Sequence, residues 1–159
     1  MSSRARTVFL GLILVYPFWL AMMAVHELGH VAGAITTGGR VLRVTIPLVG
    51  FSETIVHPNP WPRVEVWCGP ALGGGIPVTL WLALRRTRAR AILQAFAGWG
   101  HIANGAYLGV GWIYRAGDAG ELVRLGTPVY VLVAFGTVST AAGLFLWHLL
   151  GRIPRPGRS

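Results

Sequence analysis

The stretch AVHELGHVAGA (residues 24–34) places two histidines and a glutamate inside an apolar run that extends over residues 8–36. Ionisable side chains are costly in such surroundings, so they indicate function. His26 and His30 are four residues apart, and on a helix they lie on one face, one turn apart. Two imidazoles at this spacing can bind one metal ion. Glu27 lies about 100° around the helix, where its carboxylate can reach a metal-polarised water without being a ligand.

The composition is that of a membrane protein. Charged residues make up 12% of the 159 residues, which is about half the usual share, and apolar runs long enough to cross a bilayer recur. The net charge of +9 comes from arginines in short clusters between these runs. That placement favours control of membrane topology over a phosphate-binding face, so we expect no nucleic-acid partner.

The apolar runs predict an all-α polytopic membrane protein of one domain, residues 1–159. About four transmembrane helices are expected, at residues 8–36, 64–84, 91–114 and 129–150. The segment between the first two is β-branched and partly alternating, which predicts two short strands over residues 41–56 with a turn near Gly50. We expect this hairpin to associate with the membrane, because it is too apolar for a free loop.

The arginines predict the orientation of the chain. With four spans, nine arginines lie on one side, including those of RRTRAR (residues 85–90), and five lie on the other. The positive-inside rule then places both termini in the cytoplasm. The basic and then apolar N-terminus is expected to be a retained first span, not a cleaved signal peptide. The expected location is the plasma membrane.

A catalytic metal site usually needs a third protein ligand, and two residues compete for that place. Asp118, the sole aspartate, follows the third predicted span at the same membrane face as the histidine pair, and this placement favours it as the third ligand. His101 lies about halfway along that span. It is either the third ligand or, together with Asn104, a partner that contacts the ligands. Asp118 also fits as the N-cap of a short helix over residues 119–125.

The quoted motif and the segment TTGGRVLRVTIPLVGF (residues 36–51) resemble the site-2 protease family of intramembrane zinc metalloproteases. CGPALGGG (residues 68–75) is similar to the family's Gly-Pro-containing second core helix, and GDAG (residues 117–120) to its Asp-Gly motif. The resemblance covers roughly residues 20–125 and implies Zn²⁺ held by His26, His30 and Asp118. The chain departs from the family at Gly73, where Asn is usual, and at Ala119, where Gly is usual.

The resemblance also implies the function: a zinc metalloendopeptidase that hydrolyses a peptide bond in or near a transmembrane segment of a partner protein, most simply one with a single span. Glu27 would be the catalytic base, Asn104 or His101 would donate to the oxyanion, and residues 41–56 would receive the unwound substrate as an added strand. Any regulation is expected from a membrane partner. The competing hypotheses are a non-catalytic metal-binding membrane protein, such as an assembly factor or metal carrier, and a purely structural helical protein. Neither one needs Glu27.

Overall fold

The computed structural model describes residues 3–151, so the C-terminal Arg152, Arg155 and Arg158 lie outside the described residues. The described part is mostly helical with one short hairpin, as expected. Its elements are, in chain order, α1 (Ser3–Thr36), β1 (Val41–Thr45), β2 (Glu53–Val56), α2 (Pro62–Leu84), α3 (Arg90–Tyr114), α4 (Gly117–Arg124) and α5 (Val129–Leu150).

Three helices among the described residues are long and apolar enough to cross a membrane: Val15–Thr36 of α1, all of α2 and all of α5. Helix α3 has 25 residues, but its mean hydropathy is lowered by Arg90 at its start and by the polar side chains of Gln94, His101 and Asn104. Three of the four expected spans are therefore candidate membrane-spanning helices by length and composition, and a fourth span at α3 stays a prediction.

The helices pack through small residues. Helix α2 lies between α1 and α3, and α5 packs along α3. A Cβ atom added at Gly136 of α5 would lie 2.5 Å from the Cα atom of Gly109 in α3, so the two backbones are in contact there. In a membrane such close approach is a main source of helix association, because burial of apolar surface contributes little between helices already surrounded by lipid.

A buried apolar cluster fixes the short helix α4. Its members come from four helices and are Val66, Leu108, Ala119, Leu122 and Leu132. Ala119 and Leu122 are fully buried, so the first turn of α4 has a defined position against α2 and α3. The helix begins at Gly117 with Ala116 as its N-cap. Asp118 therefore lies inside the first turn, and the expectation that it caps a helix starting at residue 119 is wrong.

The hairpin is antiparallel, with Thr45 opposite Glu53, and its turn contains Gly50 at a φ of +107°. Glycine is suited to this position because a side chain would be strained at positive φ. Three large apolar side chains at the turn are mostly exposed: Leu48 at 71%, Val49 at 88% and Phe51 at 73%. An exposed apolar patch of this kind is typical of a surface that meets lipid or another protein.

Candidate metal centre

Helices α1 and α2 touch at the level of the two histidines. A Cβ atom at Gly29 would overlap the carbonyl oxygen of Cys68, and one at Gly69 would overlap the ring of His30. Only glycine fits at either position without displacing a neighbour. These two glycines therefore allow α1 and α2 to pack in direct contact beside the histidine pair.

Three candidate ligand atoms meet at this point. His26 Nε2 lies 3.0 Å from His30 Nε2 and 2.8 Å from Asp118 Oδ2, and His30 Nε2 lies 3.4 Å from the same carboxylate oxygen. Both histidines are buried in the first helix, whereas Asp118 comes from α4, 88 residues after His30 in the chain. The structure thus brings Asp118 to the histidine pair.

The hydrogen bonds of the two Nδ1 atoms, on the side of each ring away from Asp118, fix the tautomers of His26 and His30. His26 Nδ1 lies 2.7 Å from Asn104 Oδ1, and Asn104 Nδ2 donates to the Gly100 carbonyl oxygen at 2.8 Å. His30 Nδ1 faces Glu65 Oε1 at 2.9 Å and the Glu65 carbonyl oxygen at 3.2 Å. All these partners are acceptors, so each Nδ1 carries the proton, and in a neutral ring Nε2 is left with a lone pair.

This arrangement fits a metal ion. The two Nε2 lone pairs and Asp118 Oδ2, a buried oxygen that accepts no hydrogen bond from the described residues, point at one another. Their mutual repulsion is relieved if a cation lies among them. In a tetrahedral site with bonds of about 2.0–2.1 Å, ligand atoms are about 3.3–3.4 Å apart. The spacing between His30 and Asp118, 3.4 Å, matches this value, and the two spacings to His26 Nε2, 2.8 and 3.0 Å, are shorter. His26, Glu27 and His30 also form a buried group whose ligand atoms lie within 4.8 Å of one another, and such a group can bind a metal ion.

A backbone hydrogen bond holds Asp118 in place. The backbone N–H of Asp118 donates to Tyr107 Oη at 3.1 Å, and Gly117 takes a φ of +52° beside that hydroxyl. A Cβ atom at Gly117 would overlap the Tyr107 hydroxyl group, so this position requires glycine.

A cavity of about 1090 Å³ opens in front of these residues. Glu27 is 2% exposed, and its carboxylate accepts a hydrogen bond from Thr54 Oγ1 of β2. The apolar wall includes Trp19, Met22, Met23, Phe51, Trp99 and Tyr107. All five acidic residues of the chain line the cavity: Glu27, Glu53, Glu65, Asp118 and Glu121.

The two other predicted site residues, both in α3, have different hydrogen-bond partners. Asn104 is 1% exposed, lines the cavity and holds His26. His101 is not among the lining residues; its Nδ1 lies 2.9 Å from Ser139 Oγ of α5. A role for either as an oxyanion donor stays a prediction.

Three residues of the site were missed from the sequence. Glu65 is an acid within a predicted apolar span, so the rule that singled out His26 would have found it. Thr54 and Tyr107 carry no comparable signal, because a threonine in a strand and a tyrosine in an apolar helix are ordinary. Their contacts with Glu27 and Asp118 depend on tertiary packing alone.

Comparisons with known protein families, with curated proteins and with solved structures gave no match for this chain. The chemistry of the cavity is therefore argued from its own geometry.

Proposed function

We propose that this protein is an intramembrane zinc endopeptidase. The observation that carries the proposal is the placement of Glu27, buried beside three candidate ligand atoms and lining the same cavity. A carboxylate next to a metal, but not required to hold it, is the arrangement that metal-assisted hydrolysis uses. Zinc suits a site of two imidazoles and one carboxylate that leaves a fourth position open.

The residues of the chain have distinct tasks in this reaction. His26, His30 and Asp118 would hold the zinc ion, which supplies the Lewis acidity that polarises a water molecule and the substrate carbonyl. Glu27 accepts a proton from the attacking water and delivers it to the leaving nitrogen as the C–N bond breaks. Thr54 donates to Glu27 and orients it for this transfer.

The substrate is proposed to be a transmembrane segment of a partner protein, unwound before cleavage. Strand β2 contributes Glu53, Thr54, Ile55 and Val56 to the cavity lining, whereas most of β1 is exposed. Of the hairpin, β2 is therefore the better placed to pair with an extended peptide, by main-chain hydrogen bonds along its free edge. The apolar cavity wall suits the side chains of a membrane segment.

We place the protein in the plasma membrane with both termini and the loop between α2 and α3 in the cytoplasm. The support is the nine-to-five distribution of arginines, with α3 as a fourth span. A cysteine introduced at Thr87 should react with a membrane-impermeant maleimide only after the cells are opened. The parent protein, with Cys68 alone, is the control. Labelling of Thr87→Cys in intact cells would reverse this orientation and the leaflet assigned to the cavity.

Glu27→Gln tests the proposed reaction. The amide keeps the size of the side chain but cannot accept a proton, so zinc content should match the wild type while the rate of cleavage falls by about 10²-fold or more. Purified protein would be assayed on labelled casein and on single-span membrane proteins co-expressed with it. Glu121→Gln is the matched control, since Glu121 is paired with Arg124 and has no part in the mechanism.

Two outcomes of this experiment would contradict the proposal. Unchanged cleavage by Glu27→Gln would remove the proposed base. Zinc binding by both proteins, without cleavage of any substrate by the wild type, would favour the non-catalytic metal-binding protein instead.

A further inference from the structure

Glu65 is a buried acid that the proposed reaction does not use. It lies in the first turn of α2 and is 6% exposed. An acid at this depth needs partners, because burial of an unpaired carboxylate is strongly unfavourable. Its two carboxylate oxygens have different partners, and each partner belongs to a different part of the fold.

One oxygen contacts a candidate metal ligand. Glu65 Oε1 lies 2.9 Å from His30 Nδ1, and that ring nitrogen must be the donor because it faces only acceptors. The contact is imposed by the helix packing: a Cβ atom at Gly33 would lie 2.9 Å from Glu65 Cα, so α1 and α2 are pressed together there.

The other oxygen is tied to the loop that follows the hairpin. Glu65 Oε2 accepts a hydrogen bond from Asn59 Nδ2 at 3.2 Å, and Asn59 lies between β2 and α2. The side chain is therefore held at both oxygens. This restraint leaves Oε1 in one position relative to the ring of His30.

We propose that Glu65 is the positioning residue for His30 in metal binding. This inference rests on the proposed function only in that it requires a metal ion at the site. A carboxylate that accepts the outer N–H of a ligating histidine fixes the tautomer, orients the ring and makes the inner nitrogen a stronger ligand. His26 has the neutral amide of Asn104 at the same place, so Glu65 gives His30 alone an anionic partner.

A purely structural role makes a different prediction. An acid in the first turn of a helix is stabilised by the helix dipole, and its loss would then lower the stability of the metal-free protein without changing metal affinity. A positioning role lowers metal affinity and reduces the rise in melting temperature that metal produces.

The test is a measurement of zinc affinity by chelator competition on the full chain in detergent, with melting curves recorded with and without zinc. Glu65→Ala should weaken zinc binding by roughly 10–100-fold, the usual effect of removing such a partner. Glu65→Gln should weaken it less, since the amide oxygen still accepts from Nδ1–H but carries no charge. Glu53→Ala is the matched control, because Glu53 lines the same cavity but is exposed and paired with Arg43.

The result that overturns the inference is a zinc affinity of Glu65→Ala within about twofold of the wild type, well below the range expected for such a partner. If Glu65→Ala does not yield folded protein, the decision rests on Glu65→Gln: weaker binding by about threefold or more supports the inference, and an unchanged affinity overturns it. The visible spectrum of the Co²⁺-loaded variants adds a readout that a structural role would not change. An unchanged zinc affinity in the Glu65 variants would leave the Glu27→Gln test of the proposed reaction unaffected. Loss of activity in Glu27→Gln, in turn, says nothing about Glu65.

Discussion

The histidine pair of α1 and the single histidine of α3 are chemically alike, and both lie inside long helices, yet their rings meet different neighbours. His26 and His30 turn their Nε2 atoms towards Asp118, and their Nδ1 atoms donate to Asn104 and Glu65. His101 instead spans the contact between α3 and α5: its ring lies 2.9 Å from Ser139 Oγ, and that hydroxyl donates to the His101 carbonyl oxygen at 3.0 Å.

The difference shows that a buried histidine becomes a candidate ligand only when one ring nitrogen is both unprotonated and directed at other ligands. The partners of Nδ1 in α1 leave Nε2 free for this purpose. The Ser139 hydroxyl already donates its hydrogen to a carbonyl, so His101 Nδ1 is the donor in their contact, which joins two helices. His101 is therefore a packing residue in the structure, although its chemistry would suit zinc.

Asp118→Ala should cause the largest loss of zinc affinity among these variants. It removes the proposed third ligand, so zinc affinity should fall by more than the roughly 100-fold that loss of a hydrogen-bond partner of a ligand can cause, and activity should be lost with it. Chelator competition measures the first effect. Glu121→Ala, on the same short helix but half-buried and paired with Arg124, is the control. If Asp118→Ala keeps its zinc while His101→Ala loses it, the third ligand is His101.

Gly69→Ala tests whether the close contact of α1 and α2 is needed at the histidine pair. The added methyl group would overlap the His30 ring, so the ring must move away from Asp118 or the helices must separate. Zinc affinity should fall by about tenfold or more, as expected when a ligand is misoriented. Gly75→Ala is the matched control on α2, since its Cβ atom would meet open space. Equal zinc affinities in the two variants would contradict the packing argument.

His101→Ala should have the smallest effect on the metal. Zinc affinity should stay near the wild-type value, while the free energy of unfolding falls by about 1 kcal/mol through loss of the contact with Ser139. Melting curves in detergent give the stability, and chelator competition gives the affinity. His148→Ala, at an exposed position near the end of α5, should change neither quantity. A large loss of zinc in His101→Ala would show that the ring reaches the metal.

Much of the fold was predictable because local patterns determine it. The apolar runs predicted α2, α3 and α5 to within two residues at each end, and Gly50 predicted the turn of the hairpin. The first helix was underestimated, beginning at Ser3 and not at residue 8, because the polar residues before Val8 do not prevent helix formation. The start of α4 was misplaced because a positive φ at Gly117 allows the helix to begin earlier than Asp118 suggested.

The sequence by itself determined that His26, Glu27 and His30 share one turn of a helix, since the spacing of residues along a helix is fixed by backbone geometry. It also favoured Asp118 over His101 as the third ligand, because Asp118 was expected at the same membrane face as the histidine pair. Only the tertiary structure decided which side chain meets the pair, because contacts between residues far apart in the chain depend on how the helices pack. The glycines at the contact of α1 and α2 bring Glu65 to His30. The buried side chains of Ala119 and Leu122 hold α4 so that Asp118 meets His26.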